Sequence, residues 1–211
     1  MLNKMFSIKL KSALAKELPG YDAQIKMTPK DRQNILSDMP KNVKKSGVML
    51  LLFLHENEYN LVFIKRAIDG GRHSGQIGFP GGGFEKEDLD LLETAKRETE
   101  EEIGVSGINI LGKLTPIYIP VSNYYVLPVV GVLEFKPKFI PCKNEVSKIH
   151  FTEINEIINA KIVDKTFKIN EHKINAPFYI YKNFEVWGAT SMILAEFIEV
   201  LNKNKILKNL E

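Results

Sequence analysis

The chain has a single cysteine, no long apolar run and almost no imbalance of charge, and each shortage removes a class of protein. The one cysteine among 211 residues, Cys142, excludes an internal disulfide and fits a reducing compartment. With no ligating residues clustered beside it in sequence, it reads as a small buried side chain. No apolar stretch approaches the roughly 20 residues that span a bilayer. The opening segment MLNKMFSIKLKSALAKELPG lacks the apolar core and small-residue cleavage site of a signal peptide. These absences predict a cytoplasmic protein with no membrane partner. Lysine and arginine total 29 against 26 acidic residues, a net charge of +3, which is no basic field and argues against a nucleic-acid partner. Internal repeats and low-complexity linkers are also missing. What remains, 44% hydrophobic and 26% charged, is the composition of an ordinary globular chain.

The order of elements is legible from pattern. Met5, Ile8, Leu10, Leu14 and Leu18 recur at roughly helical spacing, so residues 1–44 read as a helical extension packed on a domain at 45–211. Within the extension, TPKDRQNILSDMP suggests a short helix opened by Thr28 and Pro29. GVMLLLFLH and LVFIKRA read as adjacent strands joined through the polar ENEYN. Residues 69–83 are too rich in glycine for regular structure throughout. Leu92, Ala95, Thr99 and Ile103 form an apolar stripe on a helix over 89–103, with Gly104 in the capping position. INILGKLTPIYIP and NYYVLPVVGVLEF are β-rich with VSN at the turn, and TEINEIINA is a short helix. TFKIN, APFYIY and FEVW are short strands, Trp187 and Gly188 mark a strand-to-helix corner, and ATSMILAEFIEVLNK is a closing helix. Strands and helices mixed in this order predict an α/β sandwich.

One stretch carries chemistry: FPGGGFEKEDLDLLETAKRETEEEIG, residues 79–104. Glu98, Glu101 and Glu102 fall at i, i+3 and i+4, so three carboxylates share one helix face beside the apolar stripe. Either that face is simply solvated, or it holds a hard divalent cation, which takes oxygen ligands and brings phosphates with it. Gly81, Gly82 and Gly83 bring backbone close to a ligand and are read as leading into a helix N-terminus, which favours anions. Together they predict a site for a metal-bound phosphate.

The segment resembles the Nudix box, G-x5-E-x7-R-E-U-x-E-E-x-G-U with U aliphatic. Gly82 opens it, Asp88 stands in the first acidic place, and Arg97-Glu98-Thr99-Glu100-Glu101-Glu102-Ile103-Gly104-Val105 follows. Thr99 replaces an aliphatic residue, and eight residues rather than seven separate Asp88 from Arg97. Upstream, Gly75-Gln76-Ile77-Gly78-Phe79-Pro80-Gly81-Gly82 is similar to the G-x3-F-P-G-G signature of the coenzyme A pyrophosphatase branch. Leu61 to Ala67 match its L-L-T-x-R-S-A half more loosely, and Gly71 stands where an arginine is expected, with Arg72 following.

The resemblance implies a Nudix-type α/β/α sandwich with a mixed sheet and a loop-helix motif. It implies hydrolysis of the diphosphate of coenzyme A or an acyl-coenzyme A, with ADP-ribose, NADH or another nucleoside diphosphate derivative as the alternative, or a nucleotide-sensing module without catalysis. Mg²⁺, or Mn²⁺, would sit on Glu98, Glu101 and Glu102 with the Gly82 carbonyl. Arg97 would hold Asp88, and Glu101, Glu102 or a loop acid, Glu145 in PCKNEV, would serve the chemistry. Lys65, Arg66, Arg72 and His73 flank the glycines and suit a 3′-phosphate, and Tyr124 suits a base or the pantetheine arm. The expected partner is a small nucleotide, acting on a monomer or homodimer.

Overall fold

The computed structural model describes residues 2–29, 40–68, 70, 74–169 and 172–207. Almost all of TPKDRQNILSDMP lies outside them, as do Arg72 and His73. The chain opens with α1 (Leu2–Leu14) and a short α2 (Tyr21–Gln24) that tightens into a 3₁₀ turn, Ile25–Met27. Four strands follow: β1 (Lys44–His55), β2 (Glu58–Arg66), β3 (Ile77–Gly78) and β4 (Gly81–Gly83). The acidic helix is α3 (Leu91–Ile103). After it come β5 (Asn109–Lys113), β6 (Ile117–Ile119), β7 (Tyr124–Leu133), β8 (Val146–Glu153) and the short α4 (Ile154–Ile158). A second sheet is built from β9 (Lys161–Ile169), β10 (His172–Ile180) and β11 (Glu185–Val186), and α5 (Gly188–Lys203) closes the chain.

β1 is the centre of an eight-stranded mixed sheet. It runs parallel to β7, from Lys44 beside Tyr124 to Phe53 beside Leu133, while its other edge is shared antiparallel by β4 and β2. GVMLLLFLH shows no polar alternation because both faces are covered. Leu50 and Leu52 join one core with Phe6 and Leu10 of α1 and Phe197 of α5. Met49, Leu51 and Phe53 join the other with Ala95 and Ile103 of α3. The result is an α/β/α sandwich, and the N-terminal helix is part of its core.

Local chemistry sets the joins. The β1–β2 hairpin turns on Glu56 and Asn57, both with positive φ (50° and 66°), the backbone of a two-residue type I′ turn. The turn is shorter than ENEYN suggests, since Glu58 to Asn60 already belong to β2. INILGKLTPIYIP divides into β5 and β6, and both pair with β7. β8 carried no signal in the sequence reading. β8 lies between Glu145 and the short helix read at TEINEIINA, and it pairs along β2. On α5, Ile193, Leu194, Phe197, Val200 and Leu201 are buried as the periodicity predicts. So is Glu196, whose carboxylate accepts from the backbone of Gly20 and Thr115 and from Gln24 Nε2 at 2.8–3.2 Å. A buried carboxylate is tolerated when its lone pairs are filled in this way. Here it pins α2 and the β5–β6 link to α5.

Candidate active site

The three glycines do not lead into a helix N-terminus. They form β4, antiparallel to β1, and α3 begins only at Leu91, where Asp90 caps the amides of Leu92 and Glu93 at 2.8 and 3.0 Å. The Asp90 carboxylate already occupies those two amides. The glycines instead lie against the second half of α3. A Cβ on Gly82 would stand 2.4 Å from the Glu98 carboxylate, and one on Gly81, whose φ is +150°, would meet the Gly47 carbonyl at 2.4 Å. Gly81 and Gly82 leave no room for a side chain because β4 is pressed between β1 and the Glu98 carboxylate of α3. Gly47, its partner in β1, completes this contact, and its signal was a glycine inside an apolar strand.

Arg97 organises the acidic face. Its Nε and Nη2 donate to Asp88 Oδ1 and Oδ2 at 2.9 and 3.1 Å, Nη2 also donates to the Gly83 carbonyl, and Nη1 donates to Glu98 and Glu101. Asp88 additionally accepts from Thr94 Oγ1 and the Glu85 amide. These bonds, the guanidinium first, hold the Asp88 carboxyl well below the usual carboxylate range. Arg97 is thus a clamp from helix to glycine strand. Thr99, odd where an aliphatic residue is usual, is fully buried, with its hydroxyl donating to the Ala95 carbonyl at 2.6 Å.

Glu102 is fully buried, and its Oε2 accepts from the Gly81 amide at 2.8 Å. Its Oε1 has no hydrogen-bond partner, the nearest cation being Arg66 Nη2 at 3.8 Å. The loop before β8 supplies the third acid. Two orphan carbonyls at the end of α3, of Glu102 and Ile103, accept from the amides of Cys142 and Ile140. The Ala67 amide bonds the Glu145 carbonyl at 2.7 Å from the far side. Docked in this way, Glu145 brings a carboxylate oxygen to Glu98 and Glu102, all three within 4.8 Å of one another. Cys142, on this loop, is partly exposed rather than buried.

Glu101 is not brought into this group. Its side chain is 56% exposed and its Oε2 accepts from Arg97 Nη1 at 2.9 Å. The i, i+3, i+4 spacing placed three acids on one face but could not show which of them the glycine strand would cover. Of the basic residues, Arg66 lines the adjoining cleft of about 410 Å³, together with Gly81, Gly82, Gly83, Tyr124 and Glu145, and Lys65 does not. Tyr124 carries Lys44 Nζ 5.7 Å from its ring centroid. Ser46, Ser74 and Asn144 also line the cleft; their short polar side chains gave no sequence signal.

Burial pushes the Glu102 carboxyl up to about 7 from an ordinary 4.5, against the opposing Gly81 amide and Arg66. Burial likewise raises Glu98, with Arg97 opposing. Because the fold favours protonated Glu102, its contribution to stability is complete below the unfolded value of 4.5 and is lost as pH rises through about 7. In metal-free protein, Glu102→Gln should therefore be neutral near the acid end and stabilising by roughly 2–3 kcal/mol at about pH 8. Urea unfolding of both proteins at the two pH values checks this. An equal difference at both would contradict it.

An α/β/α sandwich in which a glycine strand is clamped to an acidic helix, with a third acid from a docked loop, defines the class of this protein. The model of the NUDIX domain matches residues 43–172, and the chain belongs to the Nudix family. It is 30% identical over 156 residues to a protein named uncharacterized Nudix hydrolase NudL from Pectobacterium atrosepticum, covering 72% of this chain and 79% of that one. A NudL of Yersinia pestis matches at 30% over 154 residues, 71% of this chain and 76% of the other. Among solved structures, the MutT protein of Methanosarcina mazei is 16% identical with a TM-score of 0.51, over 79% of this chain and 99% of that one. A MutT/nudix family protein from Enterococcus faecalis, also 16% identical, has a TM-score of 0.50 over 82% and 67%. These two likenesses concern the fold. Among the described residues no helix is long and apolar enough to cross a membrane.

Proposed function

We propose that this chain hydrolyses the diphosphate bond of coenzyme A or an acyl-coenzyme A, giving 3′,5′-ADP and 4′-phosphopantetheine or its acyl form. The observation that carries the reading is the position of Arg66. This cation, next to the Lys65 that stands in the arginine place of the upstream signature, lines the same cleft as Gly81–Gly83 and Glu145, 3.8 Å from Glu102, where an anionic substrate would meet the carboxylate group.

Nudix hydrolases work with divalent metals, and the residues here fit one. A buried carboxylate oxygen without a partner, in a set of three hard oxygen donors, is what Mg²⁺ or Mn²⁺ satisfies. Glu98, Glu102 and Glu145 would hold it, with Glu101 and the Gly82 carbonyl as further candidates. When bound, the ion supplies charge neutralisation for the diphosphate and Lewis acidity toward the attacking water. The chain does the rest. Arg97 and Asp88 fix α3 against β4, so the carboxylates stand preorganised. Gly81 N–H orients Glu102, and Arg66 meets phosphate oxygens. Glu145, the exposed member of the group, would accept the proton of the water through its carboxylate.

Incubation with Mg²⁺ and coenzyme A, 3′-dephospho-coenzyme A, ADP-ribose or NADH, with products resolved by mass, tests the reading. The expected result is cleavage of coenzyme A to 3′,5′-ADP, with kcat/KM lower by at least about tenfold for the dephospho form. Preference for ADP-ribose or NADH would keep the chemistry and overturn the substrate. Inert protein with excess metal would favour a sensing module.

A further inference from the structure

Behind β6 lies a second cavity, of about 550 Å³. Its walls come from α2 and the following turn (Tyr21, Pro29), from β6 and its turn (Ile117, Val121), and from the β11–α5 corner (Trp187, Met192). Most of these side chains are apolar. Tyr21 and Val121 remain 41% and 49% exposed, so its rim leaves large apolar groups facing water. The cavity falls within the range of roughly 300–1,000 Å³ typical of small-molecule sites. The walls before residue 43 and after residue 172 lie outside the stretch that matches the Nudix domain, so this pocket is formed where segments outside that match pack on β6. Glu196, buried and fully bonded to Gly20, Gln24 and Thr115, fixes three of those walls relative to one another. The pocket is therefore built by the fold.

Its place gives its use. Ile119 borders both this cavity and the carboxylate cleft, so the two are separated by one short strand and its turn. A substrate whose diphosphate sits beside Glu98 and Glu102 and whose tail is apolar would find this cavity one strand away. Resting on the reading above, we infer that the cavity between α2, β6 and the β11–α5 corner receives the acyl end of an acyl-coenzyme A, and so makes this chain selective for acylated over free coenzyme A. The polar pantetheine arm would cross at β6, and the chain carbons would lie against Ile117, Trp187 and Met192.

Trp187 is the chain's single tryptophan, so its emission reports occupancy without any turnover. With Mg²⁺ absent, octanoyl-coenzyme A should shift Trp187 emission and coenzyme A should not. With Mg²⁺, kcat/KM should rise from acetyl to butanoyl to octanoyl, by about fourfold for each methylene that is buried. Ala189→Trp would fill the cavity at a position remote from the carboxylates. It should leave turnover of coenzyme A unchanged, abolish the rise with chain length, and be read by circular dichroism for folding. Should that variant misfold, Met192→Lys, a charge on the apolar wall, serves the same comparison. Cleavage of coenzyme A with no dependence on chain length and no emission change would overturn this inference and leave the proposed function standing. A chain-dependent emission change without cleavage of any coenzyme A derivative would do the reverse.

Discussion

Glu102→Gln should lower kcat/KM for coenzyme A by about a thousandfold or more, roughly 4 kcal/mol of barrier. The change is small in shape: glutamine keeps the volume, and its amide oxygen still accepts from the Gly81 amide. What is lost is the charge at the one carboxylate among the described residues that is wholly buried and has an oxygen without a partner. Glu101→Gln is the informative contrast. Glu101 stands half out of the protein and is spoken for by Arg97, which has Asp88 and Glu98 as further partners. Its loss should be on the order of tenfold, the scale of an exposed group that tunes a field. Steady-state kinetics on both variants decides the ranking. Equal losses, or a larger loss at Glu101, would contradict the grouping of Glu98, Glu102 and Glu145.

Gly47→Ala should destabilise the fold by about 3 kcal/mol, at the upper end of what overpacking costs, and carry activity down with it. The added Cβ would lie 2.2 Å from the Leu91 carbonyl and 2.9 Å from the Ala95 amide, both backbone of α3. Backbone cannot rotate away as a side chain can, so the helix must slide. Glu98 and Glu102 ride on that helix, and Gly82 pairs with Gly47 across the sheet, so the carboxylate group is distorted too. Gly83→Ala is the control, because its Cβ would meet nothing nearer than Tyr124 Oη at 4.0 Å. It should fall within about 0.5 kcal/mol of the parent. Denaturant midpoints for the two variants measure the difference, and similar midpoints would show that the helix has room this structure denies it.

Much of this was legible in the sequence, for identifiable reasons. β1 and α5 announce themselves because burial on both faces, or along one helical stripe, leaves an apolar pattern. The Arg97–Asp88 clamp follows from the resemblance, and the departures from the usual box did not prevent it. What escaped is what depends on packing across distant segments. Whether Glu98 or Glu101 turns toward Glu102 is decided by where β4 lies. That Glu145 reaches them is decided by two helix-end carbonyls that dock its loop. Gly47 is only the first residue of the run GVMLLLFLH until α3 is seen pressed against it. β8 escaped because SKIHFTE alternates weakly and takes its order from β2. Lys65 and Arg66 are neighbours in sequence, yet only Arg66 borders the cleft.

The most direct test of the central claim, that Glu98, Glu102 and Glu145 form one cation site, is a titration of Mn²⁺ followed by electron paramagnetic resonance. The parent protein should bind Mn²⁺, Glu102→Gln should weaken binding by about a hundredfold, and Glu101→Gln by only a few fold. Binding that survives loss of Glu102 and fails on loss of Glu101 would contradict the account.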